Sequence, residues 1–478
     1  MAFEDFMVPP KISSDPAKAL ARLKATPWPP PLRRALARLS EGGHRAILVG
    51  GAVRDALMGR PPRGAWDVAT DLTPDLVQAR FERVEPIGLA HGTVLVIVDD
   101  LQIECTTFRR EGPYRDARHP DHVEFTADPL LDLARRDLTV NALAFDPERG
   151  ELLDPFGGLQ DLARGALRAV GEPEARFRED ALRPVRVARF AATLEMEVER
   201  ATREALGTVR DRAVQVAPER IRAELVLLMQ APRPSVGFEL LREAGLLSLW
   251  MEELTRCVGV PQNRFHAHDV YTHSLLTCDA APADKPEVRW AALLHDIGKP
   301  DTRVERNGEG TFYEHEVVGA ALADRLLERL RFPLEERRAI VHLVREHMFA
   351  YRPEWSDGAL RRWIRRVGLD SVADLFDLRI ADVIGNGLRT GFPGSLEPMR
   401  ERIEKLLAES HAFGVRDLVV DGGDVMRVLG IGPGPRVGAE LEALLETVLD
   451  HPEWNVREIL LRRLAERRDE GMKSGRYA

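Results

Sequence analysis

Four short runs near the start of the chain read as strands: Ile47 to Val49 and Val94 to Val98, which are wholly apolar, Asp67 to Thr70, and Gln102 to Thr106, where apolar and polar positions alternate. Asp99-Asp100 separates the last two and predicts a hairpin turn. Ala52 to Met58, Thr73 to Glu82 and Leu138 to Phe145 carry helical spacing instead. Beyond Asp154 the strand signal fades. Arg, Ala and Leu at helical spacing dominate from Ala181 to about Leu247, and a second helical stretch, dense in His and Asp, runs from Asn263 to about Asn386. Residues 401–478 are helical on both sides of the breaker cluster Gly430-Ile431-Gly432-Pro433-Gly434-Pro435, which predicts a loop. The pattern predicts an α+β multidomain chain. Its parts are a Pro-rich N-terminal extension (1–31), a head on a small mixed β-sheet (32–153), and then an all-helical neck (154–262), His- and Asp-rich body (263–400) and tail (401–478).

Composition narrows the setting. With 68 Lys and Arg against 77 Asp and Glu, the formal charge is −9, so a polyanion would have to find a local basic face. Arg361, Arg362, Arg365 and Arg366 offer one, although a solvated helix surface explains the same arginines. Three cysteines without a C-x-x-C pair point to a reducing compartment. The acidic start and the lack of a long apolar run lead to a cytoplasmic, membrane-free expectation.

Chemistry gathers first around Gly50-Gly51, where missing side chains let backbone approach phosphate at a helix N-terminus; Arg54 follows on that helix. In a strand, positions 65 and 67 share a face. Two carboxylates there would hold a pair of magnesium ions over a nucleoside triphosphate, but the chain has Ala65 and Asp67. Glu104, between Ile103 and Cys105, faces away from its apolar neighbours and is a further ligand or base. In Arg136-Asp137-Leu138-Thr139-Val140-Asn141, Asp137 fits a helix N-cap and Asn141 lies one turn on. Asp180 and Arg183, at i and i+3, would be neighbours on one helical face. Such an acceptor and planar donor can imitate a base-pairing edge selective for C and A, although an ordinary salt bridge has the same spacing.

Taken in order, these motifs resemble the class II tRNA nucleotidyltransferases (CCA-adding enzymes), in the superfamily that includes bacterial poly(A) polymerases. Val49-Gly50-Gly51-Ala52-Val53-Arg54-Asp55, Trp66-Asp67-Val68-Ala69-Thr70, Ile103 to Arg109, Arg136 to Ala142, Asp154-Pro155-Phe156-Gly157-Gly158 and Glu179-Asp180 to Phe190 carry the likeness. It implies catalytic Mg2+ on a D-x-D pair of which only Asp67 remains. It places Arg54, Arg136, Asp137 and Asn141 around triphosphate and ribose. Asp180 and Arg183 become an amino-acid template for CTP then ATP, with Arg186 and Arg189 supporting the triphosphate. The segment Arg109 to Val123 falls where the family has a flexible loop tied to the switch from C to A addition. Ala65 departs from the pattern. An inactivation engineered to trap a substrate complex is favoured because the other motifs are intact; a silenced paralogue, or a displaced ligand at Asp71 or Glu104, are the alternatives.

A second constellation, His273, His295-Asp296, His315, His347 and Asp382, gathers imidazoles and carboxylates suited to a divalent transition metal. It resembles an HD-domain phosphohydrolase, which implies His273, His295, Asp296 and Asp382 as metal ligands, His315 and His347 for a second metal, and His342 left to surface or packing. The expectation is therefore C-C-A addition to tRNA from CTP and ATP, impaired by Ala65, in a chain whose assembly as a homodimer is open. Its rivals are a poly(A) polymerase or partial CC- or A-adding enzyme, a silent tRNA-binding paralogue, and a chain working solely as an HD phosphohydrolase.

Overall fold

A computed structural model describes residues 12–61, 66–111, 123–262, 266–306, 309–388, 394, 396–409 and 413–473. The chain divides into two compact units, Met1–Val258 with Arg325–Leu334, and Gly259–Asp324 with Glu335–Ala478.

Among the described residues, nine strands belong to the head: β1 (Ala46–Val49), β2 (Trp66–Thr70), β3 (Val84–Gly88), β4 (Thr93–Val98), β5 (Leu101–Thr107), β6 (Arg109–Glu111), β7 (Val123–Phe125), β8 (Ala144–Asp146) and β9 (Glu151–Leu153). Seven of them form one mixed sheet in the order β3-β4-β5-β2-β1-β8-β9. A parallel pair, β2 with β5, sets Asp67 beside Glu104. The four expected strands are present. At the predicted hairpin both turn residues are left-handed, Asp99 at φ 47° and Asp100 at φ 64°, the hand that matches strand twist.

Two predicted helices differ. Thr73 to Glu82 shortens to Pro74–Gln78. Leu138 to Phe145 is no helix: one 3₁₀ turn, Thr139–Asn141, leads into β8, which pairs Ala144 with Val49. Leu138, Val140, Ala142, Leu143, Ala144 and Phe145 are all buried, and periodicity cannot tell a wholly buried strand from a buried helix. The N-terminal helix Pro16–Ala25 joins the head, Arg22 Nε donating to Ala56 O at 3.0 Å.

The neck is built from Pro173–Glu179, Arg183–Leu194, Arg200–Ala205, Pro218–Met229 and Pro234–Glu243. Proline opens three of these, where its missing N–H costs nothing. Phe177, Phe238, Leu225 and Leu228 fill the space between them. One short parallel pair, Ala166–Leu167 with Glu197–Val198, accompanies the helices.

The second unit is helical apart from a hairpin, Val304–Arg306 with Glu309–Thr311. Val270–Ala280, Pro286–Leu294 and Leu369–Gly385 pack together, and Leu444, Leu445, Val448, Leu460 and Leu464 form the core of the tail. The Gly430–Pro435 cluster breaks the tail helices as expected. The arginine face does not stay open. Arg361 is buried against Leu449 O, while Arg362 pairs with Asp450 and Arg365 with Glu446 on Pro435–Asp450, and Arg366 pairs with Glu346. These arginines hold helices together, so they make no free basic patch. The cysteines Cys105, Cys257 and Cys278 are buried and unbridged. Among the described residues, no helix is long and apolar enough to cross a membrane.

Candidate functional site

Gly50 stands at φ +69°, and a Cβ there would lie 3.0 Å from Arg136 Nη1 and 3.4 Å from Asp67 Oδ2. The bare turn therefore brings a guanidinium and a carboxylate together at the N-terminus of Gly51–Met58. Burial lifts the Asp67 carboxyl above the ordinary range, against the pull of Arg136 and Arg186. Burial also lifts Glu104, and the neighbouring Asp67 charge adds to it. Two carboxylates side by side, both disfavoured as anions, are a donor set that a cation would relieve. Ala65 lies outside the described residues. Asp71 lies past the end of β2, its Oδ1 accepting from Arg45 N at 3.0 Å and meeting His44 Nδ1 at 3.1 Å, so the strand does not carry it to Asp67.

From this corner a chain of charged hydrogen bonds runs into the neck. Arg54 Nη1 donates to Asn141 Oδ1 at 2.6 Å, and Asn141 Nδ2 to Asp137 Oδ1 at 3.1 Å. Arg186 Nε donates to Asp137 Oδ2 at 2.8 Å, and its Nη1 to Glu224 Oε1 at 3.3 Å; Arg189 Nε donates to Glu224 Oε2 at 2.6 Å. Arg54, Arg186 and Arg189 also surround the Phe190 ring, at 5.2, 5.6 and 4.0 Å from its centroid. Burial works to raise the Asp137 carboxyl, but Arg186 and the bonds from Asn141 and Arg186 hold it well below the usual carboxylate range. Asp137 is not a helix N-cap; its Oδ1 takes the next residue's N–H, Leu138 N, at 2.8 Å.

Asp180 and Arg183 do not share a helical face. Asp180 ends Pro173–Glu179, and Arg183 begins the next helix. Arg183 turns inward, donating to Arg176 O at 2.7 Å and Arg135 O at 2.8 Å and pairing with Glu179. Asp180 is held by Arg220, Nη2 to Oδ2 at 2.7 Å and Nη1 to Oδ1 at 3.2 Å. Arg220 and Glu224 escaped the sequence reading because an Arg and a Glu at helical spacing look like any solvated face. Asp132, wholly buried beside Arg135 at 2.8 Å, escaped it too. Of the segment Arg109 to Val123, residues 112–122 lie outside the described residues; its ends pair as β6 and β7.

The comparisons fit this geometry. Residues 46–168 match the Poly A polymerase head domain, 195–257 the probable RNA and SrmB-binding site of polymerase A, and 265–387 the HD domain. A CCA-adding enzyme of Geobacillus stearothermophilus is 32% identical over 446 residues, 92% of this chain and 98% of that protein. The chain belongs to the CCA-adding enzyme family. A Bacillus velezensis member is 41% identical, but the match spans 55% of this chain and 63% of the relative's own length. Among solved structures, the Bacillus stearothermophilus CCA-adding enzyme in complex with CTP aligns at a TM-score of 0.72 and 28% identity, covering 93% of this chain and 100% of that one.

In the second unit, His273, His295, Asp296 and Asp382 converge. His273 Nε2 lies 3.1 Å from His295 Nε2 and 3.2 Å from Asp382 Oδ1, and His295 Nε2 lies 3.1 Å from Asp296 Oδ2. The other oxygen of Asp296 faces His315 Nε2 at 3.3 Å and His347 Nε2 at 3.9 Å, so one carboxylate spans two groups of donors. His295, His315 and His347 each place Nδ1 within 2.8 Å of the backbone carbonyl three residues earlier. Those bonds assign the proton to Nδ1 and turn a lone pair on Nε2 into the cluster. The donor chemistry fits a divalent transition metal. Burial, with the charge of His295, pushes His347 down to about 3, while Asp296 overcomes burial to raise His295. A cavity of about 490 Å³ opens on the cluster, lined also by His266, Lys299, Phe312, Tyr313, Arg379 and Asn386. Gly298 allows the close approach, since a Cβ there would lie 2.2 Å from His315 O. His342 stands outside, its Nε2 2.7 Å from Val367 O.

Proposed function

We propose that the head and neck carry the machinery for template-independent addition of C-C-A to tRNA 3′ ends from CTP and ATP, and that Ala65 leaves this chain impaired. The observation that carries the reading is the continuous cradle from Arg54 to Arg189, which ends beside Asp180 and starts beside Asp67 and Glu104. Arg54, Arg136, Arg186 and Arg189 neutralise the triphosphate, and Asp137 with Asn141 receives the ribose. The tRNA 3′-oxygen forms a bond to the α-phosphorus, the bond to the bridging oxygen breaks, and pyrophosphate leaves. Glu104, lifted by burial, accepts the hydroxyl proton. Mg2+, held by Asp67 and Glu104, would supply charge stabilisation at the reacting phosphate. Loss of the Asp expected at position 65 should cost about 4 kcal/mol, or on the order of 10³-fold in rate.

Incorporation of labelled CTP and ATP into tRNA tests this. The chain with Ala65 should bind tRNA and CTP yet incorporate almost nothing, and Ala65→Asp should restore C-C-A addition. Normal extension without the change removes the missing-ligand argument. A reverted protein that still fails removes the transferase reading in favour of a tRNA-binding protein, and runs of A or a single C-C step select the poly(A) or partial enzymes.

A second reading, a metal-dependent phosphohydrolase in the HD domain, is favoured by the Nε2 lone pairs of His295, His315 and His347 turned toward Asp296. Release of phosphate from model esters with several divalent metals tests it, and no turnover with any of them would remove it.

A further inference from the structure

The helix Pro218–Met229 lies within the stretch that matches an RNA-binding region, yet two of its charged side chains point at the nucleotide cradle. Arg220 and Glu224, one turn apart, share a helical face. Glu224 is buried and joins Arg186 to Arg189; Arg220 forks onto both oxygens of Asp180. We infer that Arg220 is a positioning residue for base selection: it fixes the Asp180 carboxylate so that one acceptor direction is left for the exocyclic amino group of cytosine or adenine. The inference rests on the proposed template role of Asp180.

The hydrogen bonds support it. A carboxylate accepts about four hydrogen bonds. Among the described residues, Asp180 Oδ1 takes Leu182 N at 3.1 Å and Arg220 Nη1 at 3.2 Å, and Oδ2 takes Arg220 Nη2 at 2.7 Å. One direction remains, on Oδ2. The planar guanidinium sets the plane of the carboxylate, which a point-like ammonium would not do. The remaining acceptor repels the O4 carbonyl of uracil and accepts the N4 amino group of cytosine, the kind of unpaired-group penalty that discriminates strongly. Arg183, which the spacing made the partner of Asp180, is committed to Glu179 and two backbone carbonyls, so the orientation of Asp180 falls to Arg220.

Calorimetry with CTP and UTP in the presence of Mg2+, on the full chain as it stands, tests the inference without needing turnover. The parent should bind CTP roughly tenfold or more tighter than UTP. In Arg220→Ala the ratio should collapse toward one, because CTP affinity falls while UTP affinity holds or rises. A merely damaged neck would weaken both nucleotides together, and that pattern overturns the inference. Arg220→Lys, which keeps the charge without the fork, should give an intermediate ratio and serves if the alanine variant does not fold. Glu219→Ala, whose partner Arg331 is 3.9 Å away on an exposed surface, should leave the ratio unchanged. A parent that binds CTP and UTP alike sinks the template reading and this inference with it. A parental ratio that survives both Arg220 changes sinks the inference alone.

Discussion

In the cradle of the first unit, three carboxylates already meet cations: buried Asp137 has Arg186, buried Glu224 has Arg186 and Arg189, and half-buried Asp180 has Arg220. In the His-Asp cluster of the second unit, imidazole nitrogens and carboxylate oxygens crowd one another instead. His273 and His295 oppose Nε2 atoms at 3.1 Å, His315 and His347 at 3.3 Å, and Lys299 answers Oδ2 of Asp296, whose Oδ1 has no hydrogen-bond partner among the described residues. The first arrangement is complete as protein and ready to receive an anion by exchanging partners. The second is a set of lone pairs that needs a proton or a cation between them. A site's unsatisfied atoms therefore state the sign of the ligand it lacks.

The largest expected effect breaks the comparison at the cluster. The double change His295→Ala with Asp296→Ala removes a ligand from one group of donors and the carboxylate that spans both. Divalent-metal content after dialysis should fall by far more than the roughly 100-fold loss caused by disturbing an outer-shell partner. Metal-dependent ester hydrolysis should vanish with it, and CTP binding should stay. Retained metal would mean that the lone pairs do not form the site, and lost CTP binding would mean that the two regions are not independent.

Much of this contrast is legible in the sequence. Short apolar or alternating runs located β1, β2, β4 and β5, and with them Asp67 and Glu104. β3 escaped because Glu85, Pro86 and Ile87 are all exposed, leaving no alternation to read; β8 escaped because both of its faces are buried. Asp137 and Asn141 were correctly drawn together for a wrong reason, since a 3₁₀ turn rather than a helix joins them. The i, i+3 spacing of Asp180 and Arg183 misled because a helix boundary falls between them. The His and Asp residues could be grouped as a set, but the lone pairs aimed inward depend on carbonyls of Ala292, Phe312 and Val344 that carry no side-chain signal.

A smaller effect sharpens the cradle side. Asp137→Asn leaves Arg186 without its nearest charge. Removing one partner of a buried pair costs about 3 kcal/mol here, the lower end of the range because Arg186 is 35% exposed. The sign with pH follows from the depressed folded pKa. The stabilisation from Asp137 is fully present above the unfolded carboxylate value and is lost as pH falls through the folded one. The difference between parent and variant in urea unfolding should therefore stay constant from pH 7 to about pH 5 and shrink only below about pH 4. A cost that halves between pH 7 and 5 would show that the carboxylate is not held as described.

The smallest effect separates a histidine that fills a structural bond from those that wait for a ligand. His342 Nε2 lies 2.7 Å from the carbonyl of Val367, the last residue of the helix Asp357–Val367. Helix-end carbonyls lack an intrahelical donor, and here the imidazole supplies one. A nitrogen donating its proton in this way offers no lone pair to a metal. His342→Ala should therefore lower stability by about 1 kcal/mol, read as a shift in the unfolding midpoint, with metal content unchanged. The same substitution at His347 also gives up a carbonyl bond, to Val344 O at 2.7 Å, but it removes a lone pair from the cluster as well and should weaken metal retention. If His342→Ala strips the metal while His347→Ala does not, the proton assignments that distinguish the two kinds of histidine are inverted.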